Sequence, residues 1–156
     1  MSAEPRPLPI GALLAERFEV QSVLGRGAFG IVYLARDLQR NDHSVVKELA
    51  PSGCRRLEDN QVDLPTESAS RLRQNFLNEA RTLGSVREPG VLPVRTAFGQ
   101  NGTAYFATDY LPNAKTLEQV IREEGRLEVQ GALDIFYQCL EVLEAIHARG
   151  VLPRDL

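Results

Sequence analysis

Two groups of residues in this sequence have the types and spacing to handle phosphate. The first is Gly25-Arg26-Gly27-Ala28-Phe29-Gly30-Ile31-Val32, which fits G-x-G-x-x-G-x-V at every fixed position. Without side chains, such glycines let the backbone approach a ligand and take positive φ. The second is Lys47, 15 residues beyond Val32, within His43-Ser44-Val45-Val46-Lys47-Glu48-Leu49. Strand alternation puts Val45 and Lys47 on one face. An apolar wall beside an ammonium suits a flat base followed by phosphates. Taken alone, the glycines are equally an ordinary hairpin turn, and a strand-end lysine is ordinarily just solvated. A lysine at this distance after a glycine hairpin favours the phosphate reading.

The elements that must position these residues are legible from period. Before the glycines, Phe18, Val20 and Leu24 share one face at strand spacing. After them, Ile31 to Ala35 is rich in β-branched and aromatic residues, which also reads as a strand. The glycines therefore join two strands and form a hairpin whose tip can lie over phosphates. A dinucleotide-binding motif would open a helix at this point, so a Rossmann oxidoreductase is excluded. His43 to Leu49 is a third strand.

Pro51 to Ser70 is polar, broken by Pro51, Gly53 and Pro65, and reads as a long loop in which Cys54-Arg55-Arg56 is solvated. A helix follows from about Glu67 to Ser85, with Leu72, Phe76, Ala80 and Leu83 on one face and Glu79 at its edge. Strands are expected over Val91–Phe98 and Thr103–Thr108, joined by the hairpin signal Asn101-Gly102. Asp109 to Asn113 breaks the pattern with turn residues. Thr116 can cap a short helix to about Glu123, closed by Gly125. The last helix, about Val129 to Ala148, carries two adjacent apolar stripes, which implies burial on more than one side, with His147 packed at their edge.

In its glycine hairpin, its Val-x-Lys strand and the order of its elements, the chain resembles a eukaryotic-type protein kinase domain, and is similar to the Ser/Thr kinases of bacteria. The resemblance implies an α+β fold: a five-stranded antiparallel sheet with one helix over residues 11–108, a hinge at 109–113, and the first helices of a second lobe over 114–156. Residues 1–10 are expected to be a flexible leader. By the same resemblance, ATP is held by Leu24, Gly25, Gly27, Gly30, Val32, Val45 and Lys47, with Val32 and Val45 sandwiching adenine. Thr108 is the gatekeeper behind the base, and Asp109 and Leu111 belong to the hinge whose backbone bonds the adenine edge. Glu79 is the glutamate that pairs with Lys47 and so fixes the ammonium on the phosphates.

At its end, Pro153-Arg154-Asp155-Leu156 is similar to the opening of the kinase catalytic loop, with Pro153 where the family has histidine. Asp155 stands at the place of the residue that accepts the substrate hydroxyl proton. The family's Mg2+ ligands and activation segment find no counterpart in this sequence, so a truncated domain is expected. The resemblance implies transfer of the ATP γ-phosphate to protein serine or threonine hydroxyls. The alternative is a catalytically dead pseudokinase acting as a nucleotide-binding or scaffolding module.

Composition bounds the rest. The 156 residues are one domain's worth. A net charge of -3 gives no electrostatic case for nucleic acid or an anionic membrane surface. The apolar stretch Leu8 to Ala15 is too short to span a bilayer and lacks a signal peptide's basic start, so a cytoplasmic location is expected. Cys54 and Cys139 lie far apart without metal-ligand spacing and read as free thiols, the first in a loop and the second in a core.

Overall fold

A computed structural model describes residues 5–65 and 67–150. The described residues form two compact units, one within 5–85 and 93–110 and the other within 86–92 and 111–150. The chain passes from one to the other after Tyr110, inside the segment expected to be a hinge, while 86–92 belongs to the second unit.

The first unit is built on one antiparallel sheet. Its strands are β1 (Leu13–Leu14), β2 (Phe18–Gly27), β3 (Gly30–Asp37) and β4 (Asp42–Leu49). A two-residue hairpin follows, β5 (Arg55–Arg56) and β6 (Val62–Asp63), then α1 (Ala69–Ser85), β7 (Val94–Gln100) and β8 (Thr103–Asp109). The sheet order is β1-β2-β3-β4-β8-β7, so the five long strands expected are present and β1 adds a short edge. Asn101 and Gly102 turn β7 into β8 with φ of 51° and 68°, the left-handed values that a two-residue hairpin loop requires.

The two faces of the sheet are covered differently. On one, Phe18, Val20, Tyr33, Ala35, Val46, Tyr105 and Ala107 form a core closed by Leu8 and Leu14. Leu8 is only 3% exposed, and its N–H donates to Tyr33 Oη at 3.0 Å. The expected flexible leader is thus a packed strap from Pro5 onward. Burial of Leu8 on the sheet face favours the ordered strap, and the fixed φ of Pro5, Pro7 and Pro9 lowers the freedom it has to lose. On the other face, α1 lays Leu72, Phe76 and Leu77 against Leu49 and Ala104, and its Ala80 is fully buried.

The segment expected to be a solvated loop is also ordered. Cys54, Val62 and Leu64 join the core beneath α1, and the Val62 N–H bonds the Asn101 carbonyl at 2.8 Å. Arg56 is buried: its Nη2 donates to Glu48 Oε2 at 2.5 Å, its Nε to the Arg6 carbonyl at 2.6 Å, and its Nη1 to the Asn60 carbonyl at 2.8 Å. Strands of two residues carry no periodicity to read. Tertiary contacts hold this hairpin.

The second unit contains α2 (Leu117–Glu124) and α3 (Val129–His147). Thr116 caps α2 through a reciprocal box: its hydroxyl accepts the Gln119 N–H at 3.1 Å, and Gln119 Oε1 accepts the Thr116 N–H at 2.8 Å. In α3 only Ile146 is buried, against Val86 with Val91 and Val142. The expected wide burial is not seen: Leu133, Phe136 and Leu140 are exposed, as are Cys139 and His147. The two cysteines exchange their expected settings, since Cys54 is the buried one.

Candidate functional site

Sheet register assembles the phosphate-handling residues. Gly25 stands opposite Val32, Val32 opposite Lys47, and Lys47 opposite Phe106, a single row across β2, β3, β4 and β8. Two residues along, Leu34, Val45 and Thr108 form a parallel row on the same face. Val32, Val45 and Lys47 are half-buried, and Thr108 is buried at 7% exposure. A ledge of partly exposed apolar side chains thus lies beside an ammonium.

Gly27 pairs with Gly30, so Ala28 and Phe29 form the hairpin tip, with Phe29 69% exposed. None of Gly25, Gly27 and Gly30 has a positive φ, contrary to expectation. Their absent side chains matter for space. A Cβ on Gly25 or Gly27 would meet nothing within 4 Å, which leaves backbone open to a ligand. A Cβ on Gly30 would collide with the Glu48 carbonyl oxygen, so Gly30 is there for strand packing. The tip is tied down from behind: the Ala50 N–H bonds the Phe29 carbonyl at 3.2 Å and the Ser52 N–H bonds that of Ala28 at 3.0 Å.

Leu24 does not share the buried face of Phe18 and Val20. The β2–β3 pairing shifts register between Val20 and Ser22 and again between Val23 and Gly25, and Leu24 emerges 48% exposed. Such bulges re-aim a side chain without breaking the strand.

Lys47 Nζ lies 6.0 Å from the Phe106 ring centroid, and that ring packs 5.2 Å from Phe76 of α1. Phe106 therefore joins the helix to the lysine, a role the sequence reading missed. Glu79 follows Phe76 by three residues and lies exposed. Leu72, Phe76 and Leu77 set the helix rotation, which leaves Glu79 on the solvent side. Asp155, with Pro153 and Arg154, falls outside the described residues.

At the end of β8, the Asp109 carboxylate is bonded by the guanidinium of Arg95 and by Arg40 Nη1 at 3.0 Å. The hydrogen bond from Arg95 comes first in holding Asp109 below its ordinary carboxylate value. Its side chain is thus already engaged within the sheet's own ion pairs. Leu111, in the second unit, is 54% exposed.

A second cluster, unforeseen from the sequence, lies on the opposite face of β4. Glu48 is completely buried, and its carboxylate accepts from Tyr33 Oη at 2.7 Å, Tyr105 Oη at 2.5 Å and Arg56. Burial first, then the Glu48 charge, pushes both tyrosine hydroxyls well above the ordinary phenol value. For Arg56, burial pulls its value down, but the hydrogen bond and charge of Glu48 outweigh it and the net shift is upward. The available signal was alternation: Glu48 shares the Val46 face, so an acid was bound to enter the core.

Known proteins resemble this chain in sequence and fold. The serine/threonine-protein kinase PknD of Chlamydia pneumoniae is 30% identical over 151 residues, 90% of this chain and 15% of the relative. CBL-interacting protein kinase 15 of Oryza sativa subsp. japonica is 27% identical over 146 residues, 94% of this chain and 30% of the relative. Among solved structures, the apo form of PpkA-294 has a TM-score of 0.67 at 32% identity, covering 74% of this chain and 42% of that one. The PknI kinase domain of Mycobacterium tuberculosis has a TM-score of 0.73 at 23% identity over 97% and 56% of the two chains, a likeness of fold. This chain thus spans less than a third of these two curated relatives. Residues 18–156 match the protein kinase domain family, and the chain belongs to it.

Proposed function

We propose that this chain carries the nucleotide site of an ATP-dependent protein serine/threonine kinase, working in the cytoplasm. The observation that carries the reading is the row Gly25–Val32–Lys47, with open space over Gly25 and Gly27 and a half-buried ammonium two strands away. Val32 and Val45 give adenine an apolar surface, with Leu24 exposed beside them and Thr108 behind. The backbone at Asp109 and Leu111 offers hydrogen bonds to the base edge. Gly25 and Gly27 admit the phosphates, Gly30 keeps the hairpin against β4, and Lys47 neutralises phosphate charge.

In this reading a serine or threonine hydroxyl oxygen of a protein substrate attacks the γ-phosphorus. The bond to the β–γ bridging oxygen breaks, ADP leaves, and Asp155 takes the hydroxyl proton. Mg2+ neutralises the phosphates in such transfers, but no trio of His, Cys, Asp or Glu among the described residues could hold a metal ion. No helix among them is long and apolar enough to cross a membrane.

Pro153 at the place of the family histidine favours a second reading: a pseudokinase that binds nucleotide or partners without transferring phosphate. Calorimetric titration with ATP tests the shared core of both. Lys47→Ala is expected to weaken ATP by about tenfold or more while leaving the melting temperature unchanged. Equal affinity in the variant overturns the nucleotide site. Radiolabelled phosphate transfer that Asp155→Ala abolishes decides for the kinase over the pseudokinase.

A further inference from the structure

Lys47 and the glycine hairpin act on phosphates only if their spacing is fixed, and β4 on its own does not fix it. The strand ends at Leu49, close behind the lysine, and runs straight into the Pro51–Ser52 link that bonds the hairpin tip. What anchors this end is Glu48. Its backbone carbonyl abuts Gly30, and both oxygens of its buried carboxylate are occupied by donors from three other segments. Arg56 supplies the only cation among those donors, and its Nε and Nη1 donate to the Arg6 and Asn60 carbonyls.

We propose that Arg56, on the hairpin inserted between β4 and α1, is a positioning residue for the nucleotide's phosphates. Through Glu48 it pins the β4 end, and four residues earlier the same segment holds Ala28 through the Ser52 N–H. One inserted hairpin thereby sets both sides of the phosphate site, from the sheet face opposite the ligand. Arg56 suits this better than lysine, because a planar guanidinium can serve one carboxylate and two carbonyls at once. The inference rests on the nucleotide reading above.

The test separates positioning from plain stability. Arg56→Met and Arg56→Lys are titrated with ATP and with adenosine, each displacing a fluorescent ATP analogue from the 156-residue chain, beside thermal melts. Loss of folded protein weakens both ligands by one factor, whereas misplacement of Lys47 and the hairpin weakens only the one with phosphates. Arg56→Met is expected to weaken ATP about tenfold or more, with adenosine changed less than about twofold. Arg56→Lys keeps the charge beside Glu48 but cannot reach both carbonyls, so it folds and shows a smaller split of the same sign. If Arg56→Met fails to fold, the split in Arg56→Lys decides. ATP and adenosine weakened equally, or neither weakened, overturns the inference while leaving the nucleotide site standing. A wild-type chain that binds no ATP overturns the nucleotide reading and this inference with it.

Discussion

Gly30 faces the backbone of Glu48 so closely that a Cβ there would lie 3.2 Å from the Glu48 carbonyl carbon and overlap its oxygen. Gly25 and Gly27, in the same motif, face open space. The three glycines therefore answer to different physical demands, one to strand packing and two to ligand approach. Gly30→Ala is expected to lower unfolding free energy by about 1–3 kcal/mol, since backbone on both sides resists the added carbon. Gly27→Ala has a permissive φ and free space, so its stability should stay within about 1 kcal/mol of wild type, or rise slightly. Its ATP affinity should fall, because the methyl occupies the approach to the phosphates. Urea denaturation of both variants checks the first pair of outcomes and titration the second. Equal stability losses in the two would refute the division of roles.

Arg17 and Asp37 give the fold an acid-sensitive clasp across β2 and β3. Arg17 Nε and Nη2 donate to the two Asp37 oxygens at 2.8 and 2.5 Å, and Asp37 is 1% exposed. The Arg17 hydrogen bond is the main reason Asp37 sits below its ordinary value of 3.8, with N–H groups of Arg40 and Gln39 adding to it. A carboxylate with a depressed folded value contributes fully above its unfolded value near pH 4, and that contribution is lost as pH falls through the folded value. The melting temperature should therefore drop steeply below about pH 4, with a shallower acid limb in Asp37→Asn, which has no such proton to bind. Superimposable acid limbs would show that other carboxylates control acid unfolding.

What could be read in advance follows from which features repeat along the chain. Strands β2, β3, β4 and β8 and helix α1 were legible because Val20, Tyr33, Val46 and Ala107 lie in alternating apolar runs and Leu72, Phe76 and Ala80 recur at helical spacing. Lys47 and the glycines were legible because strand pairing turns sequence spacing into a row. Leu24 was misplaced because two bulges shift its face, and nothing in Gln21 to Leu24 announces them. Arg56 was misread because a two-residue strand has no period and nothing in residues 50–56 announces that the chain folds back on Glu48. Glu79 shows the limit of motif reading. Its position on α1 was right, but helix rotation, set by Phe76 on Phe106, leaves it exposed.

Thiol reactivity provides a direct check on the ordered insertion. The chain has two cysteines, both free. Cys54 is 2% exposed, packed with Leu49, Val62, Leu64 and Ala104, and burial, followed by the charge of Asp63, raises its thiol above the ordinary value. Cys139 is exposed on α3. The thiolate is the reacting species, so burial protects Cys54 twice: by excluding the reagent and by disfavouring the charge. An aromatic disulfide reagent should therefore modify one thiol quickly and the other at least about a hundredfold more slowly, as the hairpin opens. Cys139→Ala should remove the fast phase, and Cys54→Ala the slow one. In urea above the unfolding midpoint both phases should merge. Two fast thiols in the native chain would mean that residues 51–64 move freely, and with them the clamp that Arg56 places on Glu48.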